Sequence, residues 1–150
     1  MIFATESALV SFAKTLGGSL ALPAVLELVG DVGAGKTTFT RGLALGLGVS
    51  EPVSSPSFTI SKRYTFPGRA DAKTPGELIH YDFYRLDDPG IMSFELEEAL
   101  QTPSSVVVVE WGDSVRDLLP TDRLKITFRI LSDGSRELKF NGKDTYAPLS

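Results

Sequence analysis

Ala24-Val25-Leu26-Glu27-Leu28-Val29, then Gly30-Asp31-Val32-Gly33-Ala34-Gly35-Lys36-Thr37, then a run from Thr38 to Gly48: the reading of this stretch decides the fold. Its middle part satisfies the phosphate-loop pattern G-x-x-x-x-G-K-[ST] at every required position. Glycines let the backbone curl until successive N–H groups point at one spot. Lys36 adds a point charge for β- and γ-phosphates, and the Thr37 hydroxyl is of the kind that ligates Mg²⁺. The context agrees. The apolar run before the loop predicts a strand, and Phe39, Leu43 and Leu47, four apart, predict one face of a helix after it. The positive end of that helix would face the same anion.

Working outward, Ala8, Leu9, Phe12, Ala13 and Leu16 predict a helix over 5–16, capped by Thr5 and ended by Gly17. Residues 53–57 read as a loop, 58–64 as a half-exposed strand and 78–84 as its antiparallel partner across the polar turn 67–76. Residues 94–101 read as a helix with Glu95, Glu97 and Glu98 on its wet side. Val106-Val107-Val108-Val109 predicts a strand buried on both faces, as at the centre of a parallel sheet. A short helix is expected over 113–119, stopped by Pro120. Strands 124–131 and 136–140 flank Ser132-Asp133-Gly134-Ser135, a hairpin signal. The fold class is therefore α/β: a phosphate-loop, three-layer domain spanning 1–150, with a parallel core sheet flanked by antiparallel strands and helices.

Composition narrows the function. A net charge of −4 lacks the broad basic footprint of a protein that grips nucleic acid unaided. Lys62-Arg63 and the stretch 69–73 are local basic clusters, which read as solvated loop or strand faces before nucleic-acid contacts. No apolar run approaches membrane-spanning length, no secretory signal is visible and there is no cysteine, so a cytoplasmic location is expected. A single histidine excludes multi-histidine metal sites.

Nucleotide chemistry beside a phosphate loop calls for a carboxylate at the end of a neighbouring apolar strand. Glu110 ends the valine run and is the candidate Mg²⁺ ligand, although Asp is commoner there and a surface strand-end glutamate is the plainer reading. Asp82 shares a strand face with His80 and Tyr84; it would either orient water and support the metal shell or serve as a hydrogen-bonded structural aspartate. His80 reads as a structural histidine before a general base, and Arg85 as a partner of Asp87 or Asp88 before a phosphate ligand. Ser54-Ser55-Pro56-Ser57-Phe58-Thr59 has the position of a nucleotide-sensing switch, or of a plain proline turn. Trp111, the only tryptophan, would stack on a nucleotide or pack at an edge.

Taken in order, the loop 30–38, Ser55-Pro56-Ser57-Phe58-Thr59, His80-Tyr81-Asp82-Phe83-Tyr84-Arg85-Leu86 and Glu110-Trp111 resemble the bacterial tRNA threonylcarbamoyladenosine biosynthesis ATPases, the TsaE (YjeE) family. The resemblance covers most of the chain and implies ATP and Mg²⁺ as cofactors. It implies that Gly33, Ala34, Gly35, Lys36, Thr37 and Thr38 wrap the phosphates, that Thr37 and Glu110 hold Mg²⁺, and that Asp82 is essential. It puts Trp111 and Glu6 close to the nucleotide and Arg136 at the border of the base. It further implies ATP hydrolysis in the modification of adenosine 37 of tRNA, with TsaD and TsaB as partners and tRNA met through the complex. Ser57 stands where the family has Thr, keeping the hydroxyl.

Two other classes compete. Asp87-Asp88-Pro89-Gly90 satisfies the D-x-x-G of GTPase switches, but Asn141-Gly142-Lys143-Asp144 has its lysine one place late for the guanine-reading N-K-x-D. A small-molecule kinase would need an acceptor pocket and an arginine-bearing lid, for which Arg63 and Arg69 are the candidates.

Overall fold

A computed structural model describes residues 1–56, 59–68, 74–84, 86–142. Its centre is the valine run. β5 (Ser105–Glu110) is buried along its whole length and lies between two parallel neighbours, β2 (Ala24–Val29) and β4 (Gly76–Asp82). β6 (Leu124–Ile130) pairs parallel with the other side of β2. Antiparallel strands close the edges: β3 (Ser61–Phe66) on β4, and β7 (Arg136–Asn141) on β6, with β1 (Ile2–Phe3) outermost on β7. The result is one seven-stranded mixed sheet, order β1-β7-β6-β2-β5-β4-β3. The parallel core with antiparallel flanks is the arrangement expected from the sequence.

Strand alternation divides the valines between two cores. Val106 and Val108 join Leu26, Leu28 and Leu78 under two helices, α1 (Glu6–Ser19) and α2 (Lys36–Leu47). Val107 and Val109 face the other way, onto α3 (Ile91–Leu100) and a 3₁₀ turn, Gly112–Leu118. Phe39, Leu43 and Leu47 are buried as the fourfold spacing required. Burying each such side chain contributes roughly 1.5–3 kcal/mol.

Several boundaries differ from expectation, each for a physical reason. Thr5 does cap α1, its hydroxyl accepting from the Ala8 amide, but the helix runs through Gly17 to Ser19. Gly17 is a contact point instead of a stop: a Cβ there would lie 2.3 Å from the Leu43 carbonyl oxygen, and one on Gly46 would lie 2.0 Å from that of Lys14. Only glycine lets α1 and α2 cross this closely. β3 starts at Ser61, three residues later than expected, because the Thr59 and Ile60 amides turn back onto the Pro56 carbonyl and Ile60 takes a φ of 66°. Ser57, Phe58, Arg85 and the tail beginning at Lys143 lie outside the described residues, as does the stretch 69–73 of the polar turn, Arg69 included. β4 ends at Asp82, which leaves Tyr84 beyond the strand. α3 begins three residues early, at Ile91, while the short helix expected over 113–119 is present as the 3₁₀ turn Gly112–Leu118. β1 was not foreseen. Among the described residues no helix is long and apolar enough to cross a membrane.

Candidate functional site

β2, β5 and β4 run parallel, so their carboxyl ends reach the same edge of the sheet, where ligands meet α/β folds. β2 delivers the glycine loop and the start of α2. Gly33 and Gly35 adopt φ of 84° and 110°, values that L side chains rarely take, and a Cβ on Gly33 would meet nothing within 4 Å. The loop therefore presents bare backbone to open space, and Gly35 caps α2 with no side-chain partner. β4 and β5 deliver Asp82 and Glu110 as directly paired residues of adjacent strands.

These groups face one cleft of about 580 Å³. Gly33, Gly35, Lys36, Thr37 and Thr38 line it together with Asp82, Glu110 and Trp111 and with Glu6 and Arg136. Ala34 is the exception in the expected set: it is buried beneath the loop, and its amide donates to the Asp31 carbonyl at 3.1 Å. Glu6 sits in the first turn of α1 and pairs with Arg41 at 3.7 Å.

Lys36 organises the centre. Its ammonium donates to the Gly30 carbonyl, stands 4.2 Å from the centroid of the Trp111 ring and lies 3.9 Å from Glu110 Oε1. Burial pushes its pKa below the usual lysine value, against the pull of Glu110, Asp82 and Asp31. Trp111 takes a left-handed φ of 55° and also packs on Tyr84, ring centroids 4.8 Å apart. Asp82 Oδ1 accepts from the Tyr84 amide at 2.9 Å. Burial raises the Asp82 pKa and Glu110 adds to the rise; the Tyr84 N–H, His80 and Lys36 oppose it. Glu110 Oε2 lies 2.5 Å from His80 Nε2.

The donor set suits a small hard cation. Thr37 and Glu110 both line the cleft and carry side-chain oxygens, and among the described residues no group of three His, Asp or Glu could cage a metal alone. Oxygen donors of this kind would fit Mg²⁺, which takes few protein ligands beside phosphate and water.

Of the expected switch, Ser55 lines the cleft. Ser54 is clamped from β3 by the Tyr64 hydroxyl and by Lys62, while the Thr59 hydroxyl donates to the Ser61 carbonyl at 3.0 Å. The D-x-x-G tetrapeptide forms the approach to α3, with the Gly90 amide on Asp88 Oδ1, and does not line the cleft. Residues left out of the expected site also line it: Phe3, Ala4 and Thr5 beside Arg136, whose guanidinium reaches the Gly33 carbonyl at 3.4 Å. β1 places the first group, and so short a strand leaves no periodic signal.

Comparison with known proteins decides the family. Residues 3–138 match the family model described as Threonylcarbamoyl adenosine biosynthesis protein TsaE. The chain belongs to the TsaE family. Its TsaE relative in Bacillus subtilis is 42% identical over 116 residues, 77% of this chain and 68% of the relative. The TsaE of Borreliella burgdorferi is 33% identical over 144 residues, 93% of this chain and 97% of the other. Among solved structures, Bacillus subtilis YdiB superposes with a TM-score of 0.72 at 34% identity, covering 99% of this chain and 88% of its own. The TsaE relatives carry tRNA threonylcarbamoyladenosine biosynthesis in their names.

Proposed function

We propose that this chain is a single-domain, phosphate-loop ATP hydrolase that serves threonylcarbamoyl modification of adenosine 37 in tRNA, in the cytoplasm, together with TsaD- and TsaB-type proteins. The observation that carries the reading is the convergence of Lys36, Asp82 and Glu110 on one cleft that the bare backbone of Gly33 also lines. Membership of the TsaE family supplies the pathway.

The backbone amides of Gly33, Gly35, Lys36, Thr37 and Thr38 bind the phosphates, assisted by the dipole of α2. Lys36 leaves the Gly30 carbonyl to reach the β- and γ-phosphates. Thr37 and Glu110 hold Mg²⁺, which when bound neutralises charge developing on the transferred phosphoryl group. Asp82 orients the attacking water and accepts its proton; a raised carboxyl pKa makes it a better acceptor than an ordinary aspartate. Trp111 screens the phosphates from bulk water and, with Glu6, borders the nucleotide. The net charge of −4 fits a protein whose contact with tRNA runs through its partners.

The test is release of inorganic phosphate from ATP by the purified chain, alone and with TsaD- and TsaB-type proteins and tRNA. Slow release alone, faster with the partners and dependent on Mg²⁺, is expected. Phosphate release that never exceeds the protein-free rate, in a mixture that still modifies tRNA only when this chain is present, would contradict the hydrolase reading.

A further inference from the structure

Glu110 poses a problem that its strand position does not solve. A glutamate has one more torsion than an aspartate, so the end of β5 fixes its Cα but leaves its carboxylate free to swing. A carboxylate that is to meet a cation must be held by something else.

His80 meets that need. It is 0% exposed and lies on β4, opposite Val108 of β5, on the sheet face covered by α1 and α2. Its Nε2 is 2.5 Å from Glu110 Oε2. The carboxylate accepts, so Nε2 carries the hydrogen. The ring's other nitrogen, Nδ1, is buried with no hydrogen-bond partner among the described residues, so the imidazole is committed to a single bond. Glu110 lines the cleft and His80 does not. The two glutamate oxygens are thereby made unequal: Oε2 is tied down in the core, while Oε1 is the oxygen on the Lys36 side.

We propose that His80 is the positioning residue of this site, locking one oxygen of Glu110 so that the other is offered to the divalent cation in a fixed direction. The inference rests on the magnesium–nucleotide reading above. His80 touches neither nucleotide nor metal and acts through Glu110 alone. Partners of this kind behind a metal-binding group typically govern affinity about 10–100-fold.

The test is calorimetric titration of the full chain with AMPPNP, with and without Mg²⁺, which reads the Mg²⁺-linked gain in affinity without turnover. His80→Leu should forfeit about tenfold or more of that gain, while affinity for AMPPNP in the absence of Mg²⁺ stays within about twofold. His80→Gln, whose amide nitrogen falls near the place of Nε2, should restore most of the gain. In a Glu110→Ala background, His80→Leu should change nothing further. If His80→Leu fails to unfold cooperatively, His80→Asn replaces it, since its shorter amide does not reach Glu110. The proposal is overturned if these variants keep the full gain, if His80→Gln is as poor as His80→Leu, or if the loss persists without Glu110. A parent chain that binds AMPPNP with no Mg²⁺-linked gain removes the metal reading itself, and the proposal with it.

Discussion

Two glutamates of the parallel core, Glu27 on β2 and Glu110 on β5, are each 3% exposed and sit in neighbouring strands, yet they are solved in opposite ways. Glu27 belongs to a closed pair: its Oε2 meets Arg123 Nε at 2.6 Å, and the same guanidinium is held by the Pro120 carbonyl at 2.9 Å. Glu110 is satisfied on one oxygen by His80, while its nearest cation, Lys36, stands 3.9 Å from the other. Burying a carboxylate is costly unless it is paired and hydrogen-bonded. Glu27 meets that condition inside the protein and does not line the cleft that Glu110 lines. Glu110 meets it only in part and lines a cleft in which a cation would complete it. On the proposed reading, one carboxylate holds the fold together and the other is kept for a ligand.

The sharpest way to break this contrast is to exchange the consequences. Glu27→Ala strands a mostly buried guanidinium and should cost about 3 kcal/mol or more of stability in urea denaturation, with little change in nucleotide affinity. Loss of binding without loss of stability there would erase the distinction. Lys36→Ala and Glu110→Gln should do the reverse, lowering turnover roughly 10²–10³-fold while the urea midpoint stays near that of the parent. Comparable losses of stability would make Glu110 a second Glu27.

Asp82→Asn sharpens the division within the cleft. Turnover should fall on the order of 10²-fold, because a proton acceptor is lost, with affinity for AMPPNP within about threefold. A large affinity loss with turnover preserved at saturation would move Asp82 from the reaction to binding.

The smallest effect is one of pH. Burial raises the Asp82 pKa above its ordinary 3.8, so the folded state holds this proton more tightly than the unfolded chain does. The ionised side chain therefore lowers stability above its folded pKa, and this penalty disappears below the unfolded value. Thermal melts should show Asp82→Asn more stable than the parent near pH 7, with the gap closing as pH falls below about 4. An equal gap at both pH values would contradict the burial account.

Much of this was legible in the sequence, and the rest was withheld for identifiable reasons. The valine run and the fourfold spacing of Phe39, Leu43 and Leu47 are periodic signals strong enough to place the sheet centre and α2. Glu110 could be read as a strand-end carboxylate and Asp82 as sharing a strand face with His80 and Tyr84, but that Asp82 ends its strand and pairs directly with Glu110 is a matter of register between residues twenty-eight positions apart, which no local pattern encodes. Gly17 looked like a helix stop because glycine usually is one; close packing on Leu43 overrode that preference. Ile60 hid the true start of β3, since nothing in a β-branched residue foretells a φ of 66°. His80 was legible as structural, which its full burial agrees with, but not as the holder of one glutamate oxygen. The wall formed by Phe3, Ala4 and Thr5 is positioned by a strand of only two residues, below the length at which alternation can be recognised.

The central claim is that the cleft between the glycine loop and the Asp82–Glu110 edge binds a magnesium nucleotide. Calorimetry of Mg-AMPPNP against the folded chain tests it most directly, run beside Lys36→Ala and Glu27→Ala. The account predicts saturable binding by the parent, retained by Glu27→Ala and lost by Lys36→Ala. No heat of binding from the folded parent, or equal binding by all three, would contradict it.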